Sequence, residues 1–264
     1  MLPLEDGRKA VALLLETVDL GVRFGGVVAL HDFSVGIDEG EIHGFIGPNG
    51  SGKSTLFNLI IGRYKPRTGK VLFQGRSLQR LSPDQRARLG MSIKFQTTSV
   101  FPGLSVLENL MLGIVGAQAP MRELRRKAWS SAERESAERM LETVGLSEKS
   151  DQPAGTLGHG EKGWLEIGVA LATRPRLLLL DEPTSGMGLE ETNRTIELIQ
   201  RIRSGLTILV IEHDMEFVRA VAERITVLFR GGLLTQGAYD DIKNDERVID
   251  AYLGRGREGV LSQS

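Results

Sequence analysis

The chain contains no cysteine, so disulfides, thiolate metal centres and cysteine nucleophiles are all excluded. It has no excess of either charge, with 33 Lys and Arg against 34 Asp and Glu. No global field therefore draws it to nucleic acid or to an acidic membrane surface, and any membrane association is expected to come through a protein partner. No uninterrupted apolar run approaches the roughly 18 residues that cross a bilayer. The opening MLPLEDGRKAVALLLETVDL has no basic leader, and Glu16 cuts its apolar run. A signal peptide is not expected there, and the expected location is the cytoplasm.

What remains is ordinary globular material. The 264 residues, 41% hydrophobic and 25% charged, suit one large α/β domain or a core domain carrying a helical insertion. There is no internal repeat, low-complexity tract or long linker. Two β-type runs flank Gly25-Gly26, and two more flank Gly231-Gly232. Both read as hairpins, because glycine supplies the positive φ of tight turns. Three further runs, EIHGFIG, RLLLLDEP and LTILVIEHD, are nearly continuous in apolar residues and end in polar ones. That is the pattern of parallel strands buried on both faces, with chemistry at their C-terminal ends.

Helices are expected between them. Leu56, Leu59 and Ile60 share one face by their spacing. Ser82 with Gln85, and Ser105 with Glu108, form capping boxes that should open two more helices. From Pro120 to Val144 a charged helical segment has Met121, Leu124, Ala128, Met140, Leu141 and Val144 on its expected buried stripe, its charges forming a solvated face. These signals predict an α/β core at about residues 11–96 and 162–240 and a mostly helical subdomain at about 97–161. The end of the chain, 254–264, is expected to be disordered.

GPNGSGKST fits the phosphate-loop pattern G-x-x-x-x-G-K-[ST] between a buried strand and a helix. In the loop of Gly47, Pro48, Asn49, Gly50, Ser51 and Gly52 the glycines would let backbone NH groups curl around a β-phosphate, with the dipole of the helix behind them. Lys53 would neutralise the β- and γ-phosphates, and the hydroxyl of Ser54, followed by Thr55, can bind Mg²⁺. The second parallel strand delivers Asp181, able to hold Mg²⁺ through water, and Glu182, able to polarise an attacking water. His213 ends the third strand. A lone histidine is more often structural, but at the edge of a sheet that holds a nucleotide it can face the γ-phosphate.

One stretch stays unexplained by those motifs: LGHGEKGWLEIGVAL, in which bare residues open a helix. Together with the phosphate loop, the acidic strand end and the strand-end histidine, it resembles the signature helix of the ATP-binding cassette (ABC) ATPases, where most members read LSGGQ. The resemblance covers about residues 11–253. It implies a P-loop NTPase core of RecA type with an antiparallel β subdomain and an inserted α-helical signature subdomain. It further implies that Phe24 stacks on adenine, that Gln96 is the Q-loop residue linking Mg²⁺ to a transmembrane partner, and that His213 is the switch histidine. By the same resemblance Gly158, His159, Gly160 and Glu161 face ATP held by a second ATPase subunit, identical or a sibling, so that two nucleotides lie between two cassettes. Backbone amides at Gly158 and Gly160 could then approach the γ-phosphate closely, with His159 assisting.

Two departures from the family stand out in the signature. Gly158 replaces the usual serine, removing one hydrogen bond to phosphate, and Glu161 replaces glutamine. In the loop after Asp181-Glu182, Gly188 stands where many cassettes have aspartate. Within the family, GVRFGGVVALHDFSV, KFQTTSVFPGLSVLENL, HGEKGWLEIGVAL and IEHDMEFV look most like ATPases of bacterial importers for branched-chain amino acids, and especially their urea and short-chain amide relatives. That likeness implies ATP and Mg²⁺ as cofactors and two membrane permeases as partners. It also implies a periplasmic solute-binding protein acting indirectly, no nucleic acid, and a peripheral position on the cytoplasmic face of the inner membrane. An exporter or lipid-extracting ATPase shares every catalytic motif and remains the alternative. A soluble cassette protein acting on DNA or ribosomes would show two cassettes or a coiled coil, and a metabolic P-loop kinase would need a substrate lid.

Overall fold

A computed structural model describes residues 12–94, 100–118 and 129–253. The first hairpin is β1 (Leu13–Phe24) and β2 (Val27–Asp38), paired antiparallel across Gly25-Gly26. Only the first glycine of that turn needs the left-handed region, with φ of 56° at Gly25. The strands reach well beyond the apolar runs that announce them, each 12 residues long and irregular in register. Next come β3 (Ile42–Ile46), all five residues buried, and α1 (Lys53–Ile60), which buries Leu56, Leu59 and Ile60 as their spacing predicts.

Three strands that hydropathy alone did not reveal follow. β4 (Thr68–Phe73) and β5 (Arg76–Ser77) complete a four-stranded antiparallel sheet in the order β2-β1-β4-β5. α2 (Pro83–Arg88) opens with the expected Ser82–Gln85 box, and β6 (Met91–Lys94) follows it. From α2 the buried Arg86 donates to the carbonyls of Leu59 and Ile60 at 2.7 Å each, satisfying the last carbonyls of α1 and fixing the far end of the phosphate-loop helix.

The next stretch is helical wherever it is described: α3 (Val106–Gln118), α4 (Ser131–Val144) and α5 (His159–Ala172). Ser105 and Glu108 cap α3 reciprocally, at 2.7 and 3.1 Å. The charged segment does not run as one helix to Val144, because Ser130 and Glu133 form a second box that starts α4 afresh. Ala137, Leu141 and Val144 form its buried stripe, with Met140 partly buried against the same core. Met121, Leu124 and Ala128 lie outside the described residues, as does the end of the chain beyond residue 253. The expected division at 161/162 falls inside the first turn of α5.

The chain then supplies β7 (Leu177–Asp181), α6 (Leu189–Ile202), β8 (Thr207–Ile211), α7 (Met215–Val221), β9 (Arg224–Phe229), β10 (Gly232–Gly237), α8 (Tyr239–Lys243) and α9 (Glu246–Leu253). The turn between β9 and β10 sits one residue earlier than the glycine pair suggests. Arg230 (φ 51°) and Gly231 (φ 89°) are its centre, and Gly232 already pairs with Phe229. Two positive φ values suit the right-handed twist of a tight hairpin.

The second sheet has the order β10-β9-β3-β8-β7-β6, parallel except for β10. One core fills the space between the two sheets around α1, and another joins the opposite face of the parallel sheet to α3 through α7. Leu177 to Leu180 of β7 are completely buried, alternating between these two cores. Each such side chain contributes roughly 1.5–3 kcal/mol, which explains why this strand has no polar residue before its end. Because β3, β8, β7 and β6 are parallel neighbours, everything that follows them emerges at one edge.

Candidate active site

That edge collects the chemistry. Out of β3 comes the phosphate loop, out of β8 comes His213, out of β7 come Asp181 and Glu182, and out of β6 comes Lys94. The loop turns into α1 at Gly52, whose φ is 108°. A β-carbon there would lie 2.7 Å from the Ala29 carbonyl oxygen, and one on Gly47 would lie 2.2 Å from that of Leu228. Strand β2 and the end of β9 thus press on the loop so closely that only glycine fits, which holds the amides in their curl. Pro48, Asn49 and Gly50 form its crest, where the Ser51 amide donates to the Pro48 carbonyl at 3.1 Å. The Lys53 ammonium is buried against the carbonyls of Gly47 (2.7 Å) and Pro48 (3.2 Å). Ser54 is exposed and Thr55 half-buried in the first turn of α1.

Phe24, 43% exposed at the tip of the first hairpin, meets Tyr64 edge to face with centroids 4.9 Å apart. Tyr64, in the loop after α1, therefore fixes the ring expected to meet adenine, a role that no spacing pattern signals.

Asp181 is 9% exposed, and its Oδ1 has no hydrogen-bond partner among protein atoms. Burial, then repulsion from Glu182, pushes its pKa up to about 6, against the pull of Lys94 and Lys53. A desolvated acceptor beside the phosphate loop suits a divalent cation. Among the described residues no three His, Cys, Asp or Glu side chains gather into a metal site of their own. The donor set therefore fits a magnesium-like ion that takes most of its ligands from phosphates and water.

Being an acid whose folded pKa lies above its unfolded value, Asp181 carries a destabilisation that is present in full above pH 6, fades as pH falls through 6, and is gone below the ordinary carboxylate range. Moving from 3.8 to about 6 corresponds to about 3 kcal/mol, and solvent screening at this edge reduces the expected effect to roughly 1–2 kcal/mol. Asp181→Asn is thus expected to stabilise the nucleotide-free protein against urea at pH 7.5 by that amount, and by progressively less at pH 5. An equal or lower stability at pH 7.5 would remove this account.

Glu182 is half-buried and sits in the left-handed region, φ 46°, where its amide donates to the Ile211 carbonyl at 2.9 Å. Non-glycine residues in that region carry strain of about 1–3 kcal/mol, and such strain clusters at functional positions. His213 is largely exposed, and the fully buried Glu212 before it accepts from the His213 amide at 3.1 Å. The other oxygen of Glu212 accepts from the amide and hydroxyl of Thr184, at 3.0 and 2.5 Å. Glu212 thereby locks the strand-end histidine to the loop that follows Glu182. Its place before His213 is visible in the sequence, but its inward direction is not. Lys94 is buried too. Burial lowers its pKa while Glu166, Glu212, Asp181 and Glu182 oppose that shift. Gln96 falls outside the described residues.

The signature residues lie at the mouth of α5. Gly158 is the N-cap, and its amide donates to Glu161 Oε2 at 3.1 Å. Glu161 is neutralised by Lys149, whose ammonium is 2.6 Å from Oε1. Partial burial pushes the Glu161 pKa up, but the bonds from Lys149 and Gly158 outweigh it and hold the carboxyl below its usual range. The glutamate that replaces glutamine therefore adds little net charge. His159 Nε2 lies 2.8 Å from the Ser185 carbonyl, so this nitrogen is committed within its own chain. The Gly160 amide donates to Glu191 Oε1 at 3.2 Å.

Comparison with known proteins agrees with this geometry. The ABC transporter family profile matches residues 30–185, and the profile of the branched-chain amino acid ATP-binding cassette transporters matches residues 233–258. The high-affinity branched-chain amino acid transport ATP-binding protein LivG of Salmonella typhimurium is 38% identical over 251 residues, covering 91% of this chain and 98% of that protein. The crystal structure of the ADP conformation of MJ1267, an ATP-binding cassette of an ABC transporter, superposes with a TM-score of 0.83 at 30% identity, over 92% of this chain and 99% of that one. MJ0796, an ATP-binding cassette whose dimeric post-hydrolysis state holds ADP and Pi, superposes with a TM-score of 0.72 at 26% identity, over 85% of this chain and 98% of that one. With a phosphate loop, an acidic strand end and a strand-end histidine on one sheet edge, and with matches over most of its length, the chain belongs to the ABC transporter family and is one of its ATP-binding cassette ATPases.

Proposed function

We propose that this cassette powers uptake of a small polar or hydrophobic solute, a branched-chain amino acid, urea or a short-chain amide, through two permease subunits at the cytoplasmic face of the inner membrane. A periplasmic solute-binding protein would deliver the solute, and two cassettes would close over two ATP molecules. One observation carries the importer reading: the end of the chain matches the branched-chain amino acid cassettes and not merely the general ATPase. No described helix is long and apolar enough to cross a membrane, which fits a subunit that reaches the bilayer through partners. Residues 11–253 form the cassette in this reading, with the helical stretch at about 97–161 as its signature subdomain.

The reaction is phosphoryl transfer to water, driven by positioning and charge neutralisation. Phe24 and Tyr64 offer a surface for adenine, Gly47 to Thr55 cradle the phosphates, and Lys53 answers their charge. Ser54, Asp181 and Gln96 would hold Mg²⁺, which would supply positive charge against the phosphates. Glu182 takes a proton from the attacking water, and His213, tied to the same loop through Glu212, faces the γ-phosphate. Gly158, His159, Gly160 and Glu161 meet the ATP of the opposite cassette.

The chain purified with its permeases and binding protein, in proteoliposomes, should accumulate labelled leucine, urea or acetamide when ATP is supplied on the cassette side. ATP-driven efflux or lipid extraction in the same vesicles would replace uptake by the exporter reading.

The missing signature hydroxyl has its own test. Gly158 has φ −60° and ψ 168°, a conformation open to any residue, and an added β-carbon would come no closer than 3.6 Å to Glu161 Oε2. Gly158→Ser is expected to complete the half-formed capping box, adding a few tenths of a kcal/mol to folding. It should also tighten ATP-driven dimerisation by roughly tenfold through one charge-assisted hydrogen bond. Sedimentation at increasing Mg-ATP reads the second effect, and an unchanged dimerisation curve would show that the hydroxyl is dispensable.

A further inference from the structure

The mouth of α5 looks bare in the sequence but is already filled by carboxylates. Glu191 Oε1 accepts from the Gly160 amide at 3.2 Å, while Glu191 Oε2 accepts from the Gly188 amide at 3.1 Å. The contact is close enough to bury Gly160, and a β-carbon built there would fall 2.5 Å from Glu191 Oε1. Glu191 lies in the first turn of α6, directly after the loop that leaves Glu182. A second tie joins the same two places, His159 Nε2 to the Ser185 carbonyl at 2.8 Å.

One amide hydrogen serves one anion at a time. A phosphate oxygen approaching Gly160 meets a carboxylate already bonded there, and two anions cannot share so small a space without a matching cation. We propose that Glu191 is an internal anion that holds the Gly160 amide while the cassettes are apart and yields it to the γ-phosphate as they close. This rests on the reading that two cassettes share ATP. Exchange at Gly160 frees the Glu191 carboxylate, which is bonded to Gly188 as well. Closure over the partner's nucleotide is therefore transmitted to the loop that follows this chain's own Glu182. Glu191 is a positioning residue: it acts on the amide donor and on the loop, not on the reacting atoms.

The test uses the full chain with Glu182→Gln in every sample, so that hydrolysis does not reopen dimers. Sedimentation gives the Mg-ATP concentration for half-maximal dimerisation, and a fluorescent ATP analogue at low protein concentration gives the affinity of the separate chain. Adding Glu191→Gln, which keeps the shape but removes the charge, is expected to lower the half-maximal concentration by roughly 5- to 20-fold, with single-chain affinity unchanged. Glu191→Asp, too short to reach both amides, should move it in the same direction and covers the case in which the glutamine variant folds poorly. A merely structural role predicts weaker dimers in both variants. Unchanged or weakened dimerisation of folded protein overturns the inference. Failure of the Glu182→Gln parent to dimerise with Mg-ATP overturns the shared-nucleotide reading first, and this inference with it.

Discussion

Replacing Glu182 by glutamine is expected to lower ATP turnover by roughly 100- to 10,000-fold while nucleotide affinity stays within about twofold, the loss typical of removing a positioned general base. Glutamine has the size of glutamate but cannot take a proton from water. It also accepts the same left-handed backbone, φ 46°, so the hydrogen bond from residue 182 to the Ile211 carbonyl should survive. The neighbouring Asp181 should benefit, because repulsion from Glu182 is the second cause of its raised pKa. The variant is therefore expected to fold at least as well as the parent. Steady-state phosphate release together with ATP-analogue titration measures both quantities. Turnover within threefold of the parent would take Glu182 out of the chemistry.

Lys53→Ala should act on the other half of the reaction and weaken binding itself. Lys53 is 7% exposed, and its ammonium is held within the loop by the carbonyls of Gly47 and Pro48. Two charge-assisted hydrogen bonds to phosphate, at about 1.5–3 kcal/mol each, set an expected loss of at least ~100-fold in Mg-ATP affinity. Alanine keeps the first turn of α1 helical, so the nucleotide-free fold should persist. Calorimetric titration gives the affinity directly. Thermal unfolding supplies a second reading, since a ligand that binds only the folded state raises the midpoint by an amount that grows with the logarithm of its affinity. A variant that still shows the parent's midpoint shift with Mg-ATP would exclude Lys53 from the phosphate cradle.

The two variants separate because their residues sit on different strands of one edge. β3 and β7 are not neighbours; β8 lies between them. That order could not be read from hydropathy, since EIHGFIG, RLLLLDEP and LTILVIEHD are alike in character and nothing local says which pairs with which. Their type was legible, because a short apolar run ending in polar residues is how a doubly buried strand must look. β4, β5 and β6 escaped notice for the converse reason: with Lys70, Arg76, Ser77, Ser92 and Lys94 among them, they lack an unbroken apolar run. Similarly, the Arg230-Gly231 turn was displaced from the glycine pair because an arginine took a left-handed conformation that sequence alone assigns to glycine.

The site divides along the same line. Its ligand chemistry was written locally: glycines before Lys53, carboxylates after four leucines and a bare helix start at Gly158 each specify their geometry within about ten residues of chain. Local hydrogen bonding and side-chain period suffice to fix such features. Folding alone decided the environment of those groups. Asp181 became a buried acceptor without a protein partner, Glu212 turned inward to hold Thr184 and the His213 amide, and Glu191 came to rest on Gly160 from 31 residues away. Such contacts depend on which helices and strands pack together. Desolvation and the pairing of distant carboxylates with backbone amides arise only once the sheet and its helices have closed around them.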